Sequence, residues 1–264
     1  MTQNATLEIA INAAVTAGNA LLQHYGTGLH PQQKESLRDL VTEVDTLSEQ
    51  EIINIIREKD PIHGILTEEQ GFIGPKTDDY WVVDALDGTI NFIHEIPLFC
   101  VSIAFIQNKK PIVGAIYNPL SEELYYGATG IGCFKNQISL KRNDCPLSQS
   151  LLAQAFSGKA YDPQNRLKEF ETFGRLNDLS QGCLRTGSAA MNLAYVADGK
   201  LGGCFGKANK FWDIAAGLLF AELAGATISY TLVDTEKHLI DYIAAAPTCY
   251  QELKVHLDGL IRSQ

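Results

Sequence analysis

Apolar residues recur at helical spacing over positions 7–22 of the chain. Because residues three and four apart share one face of a helix, this pattern predicts an amphipathic first helix that ends near Gly26. A second helix is predicted to begin at Thr46, since Glu49 follows at the spacing of a capping box and a run of isoleucines comes next. This interpretation places Asp45 just outside the N-terminus of the second helix.

Short runs rich in β-branched and aromatic residues follow and are separated by Gly, Asn and Pro. Such runs are typical of strands joined by turns. They occupy positions 65–66, 81–83, 99–106, 112–117 and 124–126. The first half of the chain is therefore expected to form a multi-stranded, largely antiparallel sheet.

The second half alternates between helical and strand-like patterns. The predicted elements are a strand at 151–156, a helix at 164–176, a helix capped by Ser188 that ends at Gly199, a helix from Trp212 to Gly225, strands at 226–230 and 242–246, and a closing helix at 248–261. The polar stretch 141–150 is the expected boundary between two lobes of one domain, approximately 1–145 and 146–264.

Composition limits the classes of function. With 264 residues, 45% of them hydrophobic, the chain can form one substantial core but not two ordinary domains and a linker. A net charge of -10 repels phosphate backbones, so nucleic acid is not the expected partner. The N-terminus lacks the pattern of a signal peptide or membrane span, and the six cysteines are dispersed. We therefore expect a cytoplasmic protein without a membrane segment.

Acidic residues stand where predicted strands and helices meet loops. Glu68 and Glu69 follow one strand, Asp84 and Asp87 follow another, and Asp213 stands at the start of a helix. Each cluster alone is typical of a solvated turn or a helix cap. Several carboxylates facing one cavity would repel one another unless a cation lay between them, and Mg²⁺ prefers oxygen ligands. Together they predict a Mg²⁺ site, where two ions can activate water and clamp phosphate oxygens.

The segment 84–89 combines candidate metal ligands with a candidate phosphate-binding backbone. Two aspartates three residues apart, with the carbonyl of Leu86 between them, can ligate a cation from one side of a turn. Gly88 lets the backbone approach a ligand closely, and the N–H groups of Gly88 and Thr89 can receive phosphate. The segment Gly187–Ser188–Ala189 opens another predicted helix and offers either a similar anion-binding end or a plain helix cap.

These motifs resemble those of the inositol monophosphatase family, within a larger group of Li⁺-sensitive, Mg²⁺-dependent phosphatases that includes fructose-1,6-bisphosphatases. The sequence WVVDALDGTINF at 81–92, followed by Pro97, is similar to the first motif of the family. The sequence WDIAAG at 212–217 is similar to the second motif. The pair Glu68-Glu69 and the segment 187–189 occur in the matching order, so the resemblance covers nearly the whole chain.

The first 50 residues add two further matches. The segment 39–42 followed by Asp45 resembles a stretch of the family, and Lys34 stands where the family carries a mobile-loop lysine.

The resemblance implies a fold, a cofactor and residue roles. The fold is a five-layered αβαβα sandwich of the α+β class, usually a homodimer, and the cofactor is two or three Mg²⁺ ions per active site. The implied metal ligands are Glu68, Asp84, the carbonyl of Leu86, Asp87 and Asp213, with Glu69 nearby. The implied catalytic residues are Glu68 together with Thr89 and Asp45, which would orient and help deprotonate the attacking water. The implied substrate-binding residues are Gly88, Thr89, Gly187, Ser188, Ala189 and Asp213.

The chain departs from the family pattern at two places. Ala85 and Leu86 replace the usual Pro-Ile between the two aspartates, which loosens the turn but keeps the carbonyl of Leu86. The stretch Gly202–Lys207 lacks two acids of the inositol-specific members, one of them at Gly206. We therefore expect a wider, less selective pocket at Gly206, with inositol 1-phosphate an unexceptional substrate.

Together these features predict Mg²⁺-dependent hydrolysis of a small phosphomonoester by direct attack of a metal-activated water. Alternatives within the same enzyme class are phosphatases of sugar phosphates, histidinol phosphate or 3′-phosphonucleotides. A regulatory or binding protein that retains the fold also remains open, because some bacterial relatives of the family have transcription-associated roles.

Overall fold

The computed structural model of the protein describes residues 2–26, 32–33, 40–41, 43–158 and 163–261. The helices are α1 (Gln3–His24), α2 (Glu43–Lys59), α3 (Thr89–Ile93), α4 (Pro163–Leu179), α5 (Ala189–Ala197), α6 (Phe211–Leu223) and α7 (Pro247–Leu257), with a 3₁₀ turn at Leu147–Gln149. The strands are β1 (Gln32–Gln33), β2 (Leu40–Val41), β3 (Gly64–Thr67), β4 (Gly71–Ile73), β5 (Tyr80–Asp87), β6 (Cys100–Gln107), β7 (Lys110–Asn118), β8 (Glu123–Ala128), β9 (Gly132–Lys135), β10 (Ile138–Ser139), β11 (Leu152–Ala155), β12 (Cys183–Leu184), β13 (Gly203–Lys210), β14 (Thr227–Asp234) and β15 (Leu239–Ala245). Lys34, Asp39 and Thr42 lie outside the described residues.

Two large sheets alternate with three layers of helices. The first sheet has eight strands in the order β10-β9-β8-β7-β6-β5-β3-β4, and all its pairs are antiparallel except β3 with β5. The second sheet has five strands in the order β12-β11-β13-β15-β14 and is mixed. Helices α1 and α2 cover one face of the first sheet, α5 and α6 lie between the sheets, and α4 and α7 cover the far face of the second. The expected five-layered αβαβα sandwich is confirmed.

Helix α1 is a buried element of this sandwich. It is the one helix in the described part of the chain that is long and apolar enough to cross a membrane, judged by length and composition. Its apolar residues pack against α2, β6 and β7, and half of its most apolar window is buried. A helix that covers a sheet needs such an apolar face, so the packing accounts for the composition.

Helix α2 begins earlier than the sequence pattern predicted. It starts at Glu43, so Thr46 lies inside the helix and Asp45 is in its first turn rather than outside it. The predicted capping box is wrong because the buried carboxylate of Glu49 accepts a hydrogen bond from the N–H of Glu69 at 3.0 Å. Acidic side chains in a first turn interact favourably with the helix dipole, which suits a start at Glu43.

The closing helix is shorter than predicted. It ends at Leu257 rather than at position 261, and Gly259 then adopts a left-handed φ of 76°. Glycine reaches this conformation without the strain that a side chain would cause, so the chain can turn away from the helix there.

Strand β13 forms the centre of the second sheet, although the sequence pattern did not indicate a strand there. It contains Gly203, Gly206 and two lysines, and residues of these types have low β propensity. Packing overrides propensity at Gly206, because a Cβ there would overlap Oδ1 of Asn209. The ammonium group of Lys207 is anchored, since its Nζ donates to the carbonyl of Leu260 at 2.8 Å.

The polar stretch 141–150 is an ordered connection between the two sheets. The guanidinium of Arg142, only 8% exposed, donates to the carbonyls of Val196 and Gly202, each at 3.2 Å. Val196 lies in the last turn of α5, where helical carbonyls lack partners within the helix. Arg142 therefore caps α5 and joins it to the strand that follows.

Replacing Arg142 with alanine should lower the free energy of unfolding by about 1–3 kcal/mol. Two buried carbonyls would lose a charged donor and keep only the backbone N–H groups of Gly199 and Ala246. Urea denaturation measures this loss. The matched control is Arg175→Ala, since Arg175 is exposed and donates to one carbonyl, that of His256. We expect a loss below about 1 kcal/mol there, and equal losses for the two variants would contradict the capping role of Arg142.

Candidate metal centre

Three carboxylates from distant parts of the chain meet in the central layer. Glu68 lies in the turn after β3, Asp84 lies in β5, and Asp213 lies in the first turn of α6. One oxygen from each carboxylate lies within 4.8 Å of the others. The start of α6 is tied to the first sheet because Oγ of Ser102 donates to the carbonyl of Trp212 at 3.3 Å. The sequence predicted that these three acids belong to one site, and the structure brings them together.

A β-bulge in β5 turns Asp84 and Asp87 to the same face of the sheet. Asp84 pairs with Ser102 and Asp87 pairs with Cys100, so three steps along β5 match two steps along β6. Residues three apart in a regular strand point to opposite faces. The extra residue of the bulge restores the common face, and both carboxylates point toward the central helices.

The carboxylate of Asp87 is held by the N-terminus of α5. Its Oδ2 accepts hydrogen bonds from Oγ of Ser188 and from the N–H of Ala190, the latter at 2.9 Å, and the Cys100 thiol lies 3.8 Å away. Asp87 is not among the three carboxylates that lie within 4.8 Å of one another. The sequence left open whether this helix end binds an anion or is a plain helix cap. In the structure Oγ of Ser188 accepts the N–H of Met191 as a helix cap does, and the same helix end holds the carboxylate of Asp87.

Burial and mutual repulsion raise the pKa values of the clustered carboxyls. Burial, followed by the charges of Glu68, Asp213, Asp87 and Asp45, holds the pKa of Asp84 well above its usual range. Burial and the charges of Asp87 and Glu68 raise the pKa of Asp213 in the same direction. Burial raises the pKa of Asp87 to about 6, while the donors of Ser188, Ala189 and Ala190 oppose the shift. The cluster therefore favours the binding of a positive charge.

The segment after Asp84 has the backbone geometry of a tight turn. Oδ1 of Asp84 accepts the N–H of Leu86 at 2.9 Å, and Oγ1 of Thr89 lies 3.0 Å from the carbonyl oxygen of Leu86. Gly88 has a φ of 92°, and a Cβ there would lie 2.9 Å from the carbonyl oxygen of Leu98. Both the conformation and the close approach require glycine.

The predicted partner of Thr89, Asp45, is buried on α2 with 4% of its surface exposed. It lies close enough to the cluster for its charge to contribute to the raised pKa of Asp84. The predicted pairing between Thr89 and Asp45 stays a prediction.

Several supporting residues were not found from the sequence. Oγ of Ser48 donates to the carbonyl of Ala85 at 3.4 Å, which ties α2 to the bulge of β5. Nδ2 of Asn91 donates to the carbonyls of Leu98 and Thr186, at 2.7 and 2.9 Å, which ties α3 to the turn before α5. The helical spacing between positions 45, 48 and 49 was a usable signal, since such residues lie near one another on one helix face.

The space at Gly206 is filled rather than open. Gly206 pairs with Tyr242 and Asn209 pairs with Ile240, so β13 also contains a one-residue bulge. The bulge brings the buried Oδ1 of Asn209 over Gly206. A Cβ at Gly206 would overlap this oxygen and would lie 2.6 Å from the ring of Tyr242. Glycine therefore opens no gap at the Cβ position of residue 206, because a neighbouring amide occupies that space. The expectation of a less selective site stays a prediction.

The residues present fit a hard divalent cation. Mg²⁺ binds oxygen at 2.0–2.1 Å, so two oxygens bound to one ion lie at most about 4.2 Å apart. The oxygens of Glu68, Asp84 and Asp213 lie within 4.8 Å of one another, and a small side-chain adjustment would close the difference. All the donors are oxygen atoms, which suits Mg²⁺ better than softer metals.

Two sheets between three helical layers, with carboxylates converging on the central layer, define a five-layered αβαβα protein with a candidate metal centre. The chain belongs to the inositol monophosphatase family, whose pattern it matches over residues 2–261.

Known proteins of this family are similar over most of their length. The protein is 39% identical over 263 residues to the Nus factor SuhB of Pasteurella multocida, covering 95% of this chain and 94% of that protein. The solved inositol monophosphatase of Anabaena is 35% identical, with a TM-score of 0.82 and coverage of 96% and 94%. A solved IMPase/NADP phosphatase complexed with Mg²⁺ and phosphate is 25% identical, with a TM-score of 0.77 and coverage of 92% and 91%.

Mg²⁺ should stabilise the protein more at about pH 8 than at about pH 5.5. A raised carboxyl pKa means that the folded state holds the proton more tightly than the unfolded state. Ionisation of Asp87 therefore lowers stability as the pH rises from about 4 through about 6. A bound cation needs the ionised carboxylates and relieves their repulsion, so its effect grows with pH. Thermal unfolding with Mg²⁺ and with chelator measures the difference, and equal shifts at both pH values would contradict it.

Replacing Gly206 with alanine should lower the free energy of unfolding by about 1–3 kcal/mol, because the methyl group overpacks the space filled by Asn209. Adding Asn209→Gly should recover part of that loss. A double-mutant cycle in urea measures the coupling, and additive effects would contradict the packing. For the same reason Gly206→Glu alone should not improve turnover of inositol 1-phosphate.

Proposed function

We propose that this protein is a Mg²⁺-dependent phosphatase that hydrolyses a small phosphomonoester by direct attack of water. The observation that carries the proposal is the convergence of Glu68, Asp84 and Asp213, whose oxygens lie within 4.8 Å of one another. Similarity to the Anabaena inositol monophosphatase and to the IMPase/NADP phosphatase supports the same class of reaction.

Five groups would hold two or three Mg²⁺ ions: Glu68, Asp84, the carbonyl of Leu86, Asp87 and Asp213. When bound, Mg²⁺ would lower the pKa of a water and offset the negative charge on phosphate oxygens. Hydrogen bonds within the protein orient the carboxylates that would bind the metal. Asp87 is held by Ser188 and Ala190, and Asp84 is held by the N–H of Leu86.

Thr89 and Asp45 would prepare the attacking water. A threonine hydroxyl both accepts and donates a hydrogen bond, so Thr89 can hold the water and pass a proton toward the carboxylate of Asp45. The position of Thr89 beside the carbonyl of Leu86 puts its hydroxyl next to the proposed ligands. Glu68 would act together with Thr89 and Asp45. Its side chain is exposed, so solvent water reaches this side of the carboxylate cluster.

The substrate would lie between α3 and α5. The N–H groups of Gly88 and Thr89 would hold the phosphate, while Gly187, Ala189 and Asp213 would contact the rest of the substrate. Ser188 would contact the substrate as well. Its N–H and its Oγ also donate to Thr186 and Asp87, so it would support Asp87 at the same time.

The natural alcohol of the phosphate ester is the open part of this proposal. Inositol phosphates, sugar phosphates, histidinol phosphate and 3′-phosphonucleotides are all candidates, and phosphate release from a panel of these esters distinguishes them. The presence of Asn209 and Tyr242 near Gly206 favours an alcohol other than the one preferred by members with an acid there.

A second candidate function is a regulatory role, favoured by the 39% identity to the Nus factor SuhB of Pasteurella multocida. Such a role would use the protein surface rather than the carboxylate cluster. The Asp213→Asn variant separates the two functions, because it should remove turnover while leaving the surface intact.

We further propose that the chain works as a single phosphatase domain with two lobes, approximately 1–145 and 146–264. We propose that it assembles as a homodimer in the cytoplasm. Size-exclusion chromatography with light scattering tests the assembly, and a monomer at micromolar concentration would argue against it.

Purified protein should release phosphate from small phosphomonoesters with Mg²⁺, and excess chelator should abolish the activity. Asp213→Asn should lower kcat by ~10²-fold or more, because a preorganised electrostatic contact at the reacting group is removed. The same variant should be at least as stable as the natural protein in chelator, since one repelling charge is gone. Full activity in chelator, or natural activity of Asp213→Asn, would place the chemistry elsewhere.

A further inference from the structure

Glu49 is a fully buried carboxylate that the proposed reaction leaves without a role. It lies on α2 with 0% of its surface exposed. Its Oε2 accepts the backbone N–H of Glu69 at 3.0 Å. The side chains of Thr67 and Gln70 also lie within hydrogen-bonding reach of this carboxylate. Burying a carboxylate costs free energy that hydrogen bonds to neutral donors do not fully offset. A residue of this kind calls for a reason beyond packing.

The bonded N–H belongs to the peptide that joins Glu68 to Glu69. Fixing this peptide fixes the backbone torsion ψ of Glu68, and with it the direction in which the Glu68 side chain leaves the chain. The turn also closes on itself, because Oγ1 of Thr67 accepts the N–H of Gln70 at 3.2 Å and lies 3.3 Å from the carbonyl oxygen of Gly71. Those local bonds shape the turn, whereas Glu49 connects it to a helix 20 residues earlier.

The same part of α2 contacts the other ligand-bearing segment. Oγ of Ser48 donates to the carbonyl of Ala85, between Asp84 and Asp87. Asp45, four residues before Glu49, is buried near the cluster. One helix face therefore sets the relative positions of the turn after β3 and the bulge of β5.

We propose that Glu49 is a positioning residue that aims the Glu68 carboxylate at Asp84 and Asp213. This inference rests on the proposed Mg²⁺ site and adds a residue to it. The role needs a hydrogen-bond acceptor at position 49, and it does not need a negative charge. Loss of a partner behind a metal ligand typically weakens metal affinity by about 10–100-fold.

The test compares Glu49→Met, which keeps the length of the side chain without the acceptor, with Glu49→Gln, which keeps an acceptor oxygen. Mg²⁺ affinity is measured on the full chain by isothermal titration calorimetry, with the Mg²⁺ dependence of kcat and KM as a second readout. Glu49→Met should bind Mg²⁺ about 10–100-fold more weakly, and Glu49→Gln should stay within about threefold of the natural protein.

Asp60 provides a matched control at the other end of α2. It is also a buried acid, 1% exposed, and it accepts the Nε1–H of Trp81 at 2.9 Å. Asp60→Ala should lower the melting temperature while leaving Mg²⁺ affinity unchanged. An equal loss of affinity in Asp60→Ala would reduce the effect to general destabilisation and overturn the proposal.

Two other results would overturn the positioning role of Glu49 and leave the proposed function standing. They are natural Mg²⁺ affinity in Glu49→Met, and a loss in Glu49→Gln as large as that in Glu49→Met. Failure of the natural protein to bind Mg²⁺ or to release phosphate would instead overturn the proposed function. If Glu49→Met does not fold, Glu49→Ala, which also lacks the acceptor, takes its place with the same expected loss, and natural Mg²⁺ affinity in Glu49→Ala overturns the positioning role.

Discussion

Repulsion between carboxylates confined between two sheets is the constraint around which this protein is built. Charges that are poorly solvated interact far more strongly than charges in water, and burial already favours their neutral forms. The chain opposes this cost at Asp87 with the donors of α5, whereas Asp84 and Asp213 face other acids. A bound cation would supply the missing stabilisation. Metal binding and folding stability are therefore expected to be linked in this protein.

Each of the two large sheets contains a one-residue β-bulge that changes the face on which a side chain lies. A one-residue bulge in β5 turns Asp87 to the face of Asp84, and a one-residue bulge in β13 turns Asn209 to the face of Gly206. Bulges commonly re-aim side chains next to functional sites. In the first sheet the bulge assembles the acidic cluster. In the second the bulge places Oδ1 of Asn209 over the Cβ position of Gly206.

The supporting residues explain how a site built from distant segments keeps its geometry. Helix α2 contacts the turn of Glu68 and the bulge of β5, while the N-terminus of α5 holds Asp87. Ligands held by packed helices and strands are more precisely placed than ligands on free loops. Similarity to proteins with the names SuhB and inositol monophosphatase is consistent with one scaffold serving more than one function.

The segment 84–89 could be interpreted from sequence because two aspartates, a carbonyl and a glycine lie within one turn. Asp213 became a candidate only in combination with the other acids and through the resemblance of 212–217 to a family motif. Periodicity likewise predicted most helices and the largely antiparallel first sheet. The start of α2, the strand β13 and the filled space at Gly206 could not be found this way. Each depends on a partner distant in sequence or on a bulge, as Glu49 depends on Glu69 and Gly206 on Asn209. Propensity and pattern describe a residue with its neighbours along the chain, whereas burial and hydrogen bonding across the fold set its final role.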